Sequence, residues 1–299
     1  MEKKIKFFIF TFLLLVILPV VLFAQSFNEL VSEFAEAHKS KNYSDQVRTL
    51  TTILEKYPDK TPELFYKGRG DAYYWLKDYT KSIEDYSIAI TIKPDYALAI
   101  SFRGNAYLNI NEYTKAIKDY TTAIVLDPSF EKVYNNRGLA YFKIGEFNKA
   151  IEDFTDAIKI KTDFIESYIN RGNAYSQSDD FNKAIADFTK AISINSKYSL
   201  AYFFRGTTFY YLEDYYKAAD DFKSAINIDP EYKIYLSLAL TQYALGDMEE
   251  AKKYMNEVIK TEPRLTNGME VLEKLGIEGG SFLDVQKLEL EKLFELIKK

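Results

Sequence analysis

The pair Arg-Gly recurs at residues 69–70, 103–104, 137–138, 171–172 and 205–206, each step 34 residues long. Other columns keep the same register. Twelve residues after each glycine stands a small residue, Ser82, Ala116, Ala150, Ala184 or Ala218. Four residues further on comes an aromatic, Tyr86, Tyr120, Phe154, Phe188 or Phe222, and then Ala89, Ala123, Ala157, Ala191 or Ala225. Pro94, Pro128 and Pro230 close three of the copies. Within each copy two apolar patterns at helical spacing flank a short polar break such as LKDYTK or IGEFNK. A fixed period of this length calls for helix–turn–helix units stacked in order, because one such unit cannot bury its apolar stripes alone.

The pattern resembles the tetratricopeptide repeat, with an aromatic, Gly, Tyr, Ala, aromatic, Ala and Pro at set offsets. The resemblance implies an all-α chain, a right-handed superhelical solenoid of helix-turn-helix repeats with a C-terminal capping helix. The expected boundaries are 63–96, 97–130, 131–164, 165–198, 199–231 and 232–265. The last copy lies one residue early in register, with Ala239 in place of the glycine. A degenerate unit at 27–60 keeps Tyr43 and Pro58. Residues 266–299 hold two further helical patterns. The second, SFLDVQKLELEKLFELIKK, is amphipathic, opens like a capping box at Ser281 and Asp284, and is read as the cap.

The five glycines forgo about 1 kcal/mol of helix propensity each. Close approach of the two helices must offset this, and the small column from Ser82 to Ala218 is the expected partner. Each arginine has an aspartate sixteen residues later, giving the pairs Arg69–Asp85, Arg103–Asp119, Arg137–Asp153, Arg171–Asp187 and Arg205–Asp221. The sixth copy loses both members together, with Leu238 and Tyr254 instead. The joint loss predicts ion pairs within each repeat rather than a stripe for anionic ligands. The chain has 25 Tyr and 22 Phe, and many fall in four columns at helical spacing, which assigns them to the core.

Composition narrows the function. There is no cysteine, so thiol chemistry and disulfides are excluded, and the single histidine, His38, rules out a multi-histidine metal site. The chain has no phosphate-cradling glycine loop and no nucleophile motif. It reads as a non-enzyme, with no cofactor and no metal. A net charge of -5 offers nucleic acid no attraction. MEKKIK followed by FFIFTFLLLVILPVVLFA has the pattern of a secretory signal with a cut after Ala24; kept uncleaved, it would be a membrane anchor. Removing residues 1–24, with three lysines and one glutamate, would move the net charge from -5 to -7. The expected location is the periplasm or cell envelope, with membrane contact only through that segment.

In the family resembled, partners lie against one face of the first helix of each repeat. Carried onto this chain, that face comprises Leu64, Lys67, Asp71, Tyr74 and Trp75; then Leu98, Ser101, Asn105, Leu108 and Asn109; then Lys132, Asn135, Leu139, Phe142 and Lys143. The next two sets are Glu166, Ile169, Asn173, Ser176 and Gln177, and Leu200, Phe203, Thr207, Tyr210 and Tyr211. Amides in the middle could bond a peptide backbone, and aromatics at the ends could anchor side chains. Lys67 suits a carboxylate clamp, but Asp71 replaces the amide such a clamp needs, so no clamp is expected. The expectation is a scaffold for a protein or peptide partner of the envelope; the alternative is a cell-wall glycan or peptidoglycan binder using the aromatics. Oligomeric state stays open.

Overall fold

The computed structural model describes residues 18–263. Fourteen α-helices and no strand occur among them. Helix α1 (Leu18–Lys39) and α2 (Tyr43–Lys56) form the degenerate unit. Regular repeats follow: α3 (Pro62–Trp75) pairs with α4 (Tyr79–Ile92), α5 (Ala97–Asn109) with α6 (Tyr113–Leu126), α9 (Ile165–Gln177) with α10 (Phe181–Ile194), and α11 (Ser199–Tyr211) with α12 (Tyr215–Ile228), while α7 (Glu131–Lys143) and α8 (Phe147–Ile160) come between α6 and α9 in the chain. The last hairpin is α13 (Tyr232–Ala244) with α14 (Met248–Thr261). The signal-like run before residue 18 and the C-terminal cap lie outside the described residues, and the proposed cut after Ala24 falls inside α1. No described helix is long and apolar enough to cross a membrane.

Contacts divide the chain into two compact units, meeting in sequence at Ile144 and Gly145. In the first, each of α1 to α7 packs on its neighbour in the chain. In the second, α8 to α14 do the same. Within each unit consecutive first helices also touch: α3, α5 and α7 in one, α9, α11 and α13 in the other. The order of stacking follows from the alternation of short turns and apolar stripes, which leaves every hairpin needing the next.

The turns between first and second helices share one geometry. Lys41, Lys77, Asn111, Gly145, Asp179, Glu213 and Gly246 all have positive φ, between 54° and 81°. At Lys77 the backbone N–H donates to the carbonyl of Tyr74, and the N–H of Asp78 donates to that of Tyr73, both at 2.9 Å. This is the Schellman closure of a helix C-terminus, in which a left-handed residue lets the chain reverse and satisfies orphan carbonyls. The next residue then opens the second helix: the carboxylates of Asp78, Asp214 and Asp247 accept from the backbone N–H three residues on.

Tyr86, Tyr120, Phe154, Phe188 and Phe222 are fully buried, as is the flanking alanine column. The glycine contact differs from the one expected. A Cβ on Gly70 would lie 2.8 Å from Tyr86 Cε1, and one on Gly104 2.8 Å from Tyr120 Cε1. The corresponding distances are 2.6 Å between Gly172 and Phe188 and 3.0 Å between Gly206 and Phe222. The small column is near as well, since Ser82 Oγ donates to the Gly70 carbonyl at 2.9 Å. Yet the ring of the second helix, not the small residue, is what the missing side chain admits. A long side chain leans toward the N-terminal end of its own helix, which carries the ring back over the glycine.

Candidate functional site

The arginines sit on the first helices with their guanidinium groups partly buried. Arg69 donates from Nε and Nη2 to both carboxylate oxygens of Asp85, each at 2.8 Å. Arg103 with Asp119, Arg171 with Asp187, and Arg205 with Asp221 repeat this two-pronged geometry at 2.7 to 2.8 Å. Hydrogen bonding to the aspartate raises the pKa of Arg69, Arg103 and Arg205 above the usual arginine value. The remaining nitrogen, Nη1, donates to a hydroxyl on the second helix of the preceding repeat. The acceptors are Thr51, Ser87, Thr121, Thr155 and Thr189, for Arg69, Arg103, Arg137, Arg171 and Arg205 in turn. Each arginine therefore ties one repeat to the one before it. The hydroxyl column, Thr51, Ser87, Thr121, Thr155 and Thr189, is present in the sequence but carries no signal by itself, because Ser and Thr are common on helix faces. Arg137 lies on α7 in the first unit, and Asp153 is buried on α8 in the second. Guanidinium groups whose fork is occupied by carboxylate offer little to an external anion.

The face carried over from the family is unequally available. Asn135 and Tyr210 are buried, at 6% and 4% exposure, so neither can offer much surface to a partner. Lys67 is held by Asp71 at 2.7 Å and lies over the Phe102 ring. Asp71 also accepts from the Tyr86 hydroxyl at 2.7 Å. Asn105 accepts from the Tyr120 hydroxyl at 2.7 Å and from Asn136 at 2.9 Å. Burial, reinforced at Tyr86 by the Asp71 carboxylate, pushes both phenols well above the ordinary tyrosine range, so both stay protonated donors. At Asn105 the interior thus takes up the amide oxygen.

The reason lies in a pairing of columns that the sequence analysis missed. The residue after each Arg-Gly faces the buried aromatic fifteen positions on. Where that aromatic is tyrosine, the facing residue is an acceptor, Asp71 or Asn105. Where it is phenylalanine, no phenol needs accepting, and Leu139, Asn173 and Thr207 stand there. Asn173 thus faces Phe188 with its amide unspent. In the second unit the side-chain amides of Asn173 and Gln177 make no hydrogen bond among the described residues, and Ser176 Oγ is buried there without a partner. Ser176 and Gln177 lie three and four residues after Asn173, one helical turn along α9. On α11, in contact with α9, Phe203 is half-buried and packs edge-on against Phe204, while Thr207 bonds its own helix.

Two aromatic stacks mark the ends of first helices. Trp75, 61% exposed, lies parallel to Tyr43 at 5.9 Å and edge-on to Tyr74 at 5.8 Å. The Tyr74 hydroxyl accepts from Asn109 at 2.9 Å. In the second unit Tyr211 lies parallel to Phe181 at 6.4 Å. Leu108 and Phe142 are half-buried on α5 and α7.

The stacked hairpins, the buried aromatic column and the glycine contact define the repeat. A TPR repeat model matches residues 70–110 and 104–145, and tetratricopeptide repeat models match 131–164, 165–198, 200–232 and 232–265. The chain belongs to the tetratricopeptide-repeat family. Its fold is similar to that of a tetratricopeptide repeat protein from Parabacteroides merdae, 15% identical, which covers 92% of this chain and 100% of that one with a TM-score of 0.67. The C-terminal part of a TPR repeat-containing protein from Cytophaga hutchinsonii, 17% identical, covers 79% and 95% with a TM-score of 0.63. MamA protein, 25% identical, covers 57% and 94% with a TM-score of 0.51. No curated protein matches the chain. Tetratricopeptide-repeat proteins bind protein or peptide partners and are generally scaffolds rather than enzymes. Among the described residues no group of three or more His, Cys, Asp or Glu could hold a metal ion.

Proposed function

We propose that this tetratricopeptide-repeat protein is an exported scaffold of the cell envelope or periplasm that holds an extended partner segment on the first-helix face of its second unit. One observation carries the reading. Asn173 and Gln177 keep complete amide groups free on the face where Asp71 and Asn105 are consumed by the core. An unspent amide can donate to and accept from a peptide backbone at once. The half-buried Phe203 and Tyr211 beside them supply apolar surface for side chains of the segment. Export rests on the basic start and the apolar run up to Ala24.

The test is photo-crosslinking in cells from a reactive residue placed at Gln177, with the exposed second-helix position Lys190 on α10 as control. A defined protein should be captured from Gln177 and not from Lys190. Asn173→Ala should weaken that capture roughly fivefold, the worth of one hydrogen bond of about 1 kcal/mol. Equal capture from both positions refutes the reading. A second reading, glycan binding, is favoured by the exposed Trp75 ring stacked on Tyr43, a flat apolar platform suited to a sugar ring. Retention on protease-treated peptidoglycan that is lost in Trp75→Ala would support it instead.

A further inference from the structure

The two aromatic stacks occupy equivalent places in the repeat. In each, the residue that opens a second helix packs on the residue that ends the next first helix: Tyr43 on Trp75, and Phe181 on Tyr211. The interplanar angles are 14° and 16°. At the corresponding helix ends between them stand Asn109, Lys143 and Gln177, so aromatic ends occur once in each unit across these repeats. Each stack is followed by an exposed leucine, Leu76 at 44% and Leu212 at 45%.

The turns beside the stacks carry opposite charges at the left-handed residue. Beside Tyr43 and Trp75 the left-handed residues are Lys41 and Lys77, with φ of 54° and 62°. Beside Phe181 and Tyr211 they are Asp179 and Glu213, with φ of 60° and 59°. All four are exposed and none has an ion-pair partner among the described residues. The neighbouring charges cancel locally. The carboxylates of Asp78, Asp180 and Asp214 are each bound by the lysine three residues on. What remains is two parallel aromatic stacks, each beside an exposed leucine, one next to two cations without an ion-pair partner and the other next to two such carboxylates.

We propose that these two stacks are complementary self-association surfaces, so that the basic turns of the first unit of one copy dock against the acidic turns of the second unit of another. The argument is charge complementarity carried by a single chain. Like platforms would repel, whereas unlike ones attract and bring Leu76 and Trp75 against Leu212 and Tyr211. Long-range attraction between exposed charges of this kind weakens as salt rises.

The absence of cysteine makes a direct test available. Full-length chains with different tags, one carrying Leu76→Cys and the other Leu212→Cys, are co-expressed and oxidised. The mixed disulfide should exceed either homodisulfide roughly tenfold, since only unlike platforms attract. Lys41→Glu with Lys77→Glu on the Leu76→Cys copy should abolish it. Adding Asp179→Lys with Glu213→Lys to the Leu212→Cys copy should restore it, which also shows that the variant chains are folded. No cross-link, equal cross-linking in all three pairings, or indifference to charge reversal would each overturn the proposal. So would failure of the double reversal to restore the link.

Discussion

Replacing Gly172 by alanine separates two opposing effects that the repeat balances. In a helix interior the added methyl is worth about 1 kcal/mol of propensity. In this helix that methyl would sit 2.6 Å from Phe188 Cε1, 2.8 Å from Cζ and 3.0 Å from Cδ1. Carbon atoms at rest keep about 3.5–4.0 Å, so the ring must withdraw by about 1 Å. Phe188 is fully buried, and protein interiors are close-packed, so its withdrawal must displace neighbours. Overpacking of this kind costs about 1–3 kcal/mol, which gives Gly172→Ala a net loss of about 1 kcal/mol. In a Phe188→Leu background the two closest ring atoms are gone. There the same substitution should become neutral or stabilising, by up to about 1 kcal/mol. Urea denaturation followed by circular dichroism of the four proteins reads this as a change of sign in the midpoint shift. A gain of stability from Gly172→Ala with Phe188 in place would refute the close-packing account. So would an equal loss in both backgrounds.

Two further outcomes are expected. Arg171→Ala and Asp187→Ala should each lower stability by about 3 kcal/mol, because each strands the other charge in a largely buried place; the double variant should lose less than their sum, and strict additivity in the denaturation cycle would show that the pair is not coupled. The carboxyl of Asp214 is held below the ordinary aspartate range, chiefly by hydrogen bonding to Lys217. A group depressed on folding stabilises above its unfolded pKa and loses that contribution as pH falls through its folded value, so the effect should appear only on the acid side. Carbon-detected carboxyl titration should find Asp214 ionising below aspartates that have no lysine partner, and an ordinary midpoint would contradict the contact.

The sequence by itself determined the hairpin, its period and the family. Each is a local or fixed-offset property: helical spacing of apolar residues, a left-handed turn, a charge sixteen positions from its opposite. Columns that recur five times in register are visible without coordinates because each repeat meets the same environment. The Arg–Asp columns belong to this class, since both partners lie inside one repeat. What only the tertiary structure decided are the contacts that depend on where a side chain points and what already occupies it. The glycine makes room for a ring rather than for a small neighbour. Nη1 of each arginine reaches a hydroxyl in the previous repeat. The same carried-over face is spent at Asp71 and Asn105, buried at Asn135 and Tyr210, and open at Asn173. One oxygen atom on the buried aromatic, present in tyrosine and absent in phenylalanine, makes the difference between a structural amide and an available one. A buried hydroxyl must find an acceptor, and which residue supplies it is set by packing across two helices, a distance that periodicity does not measure.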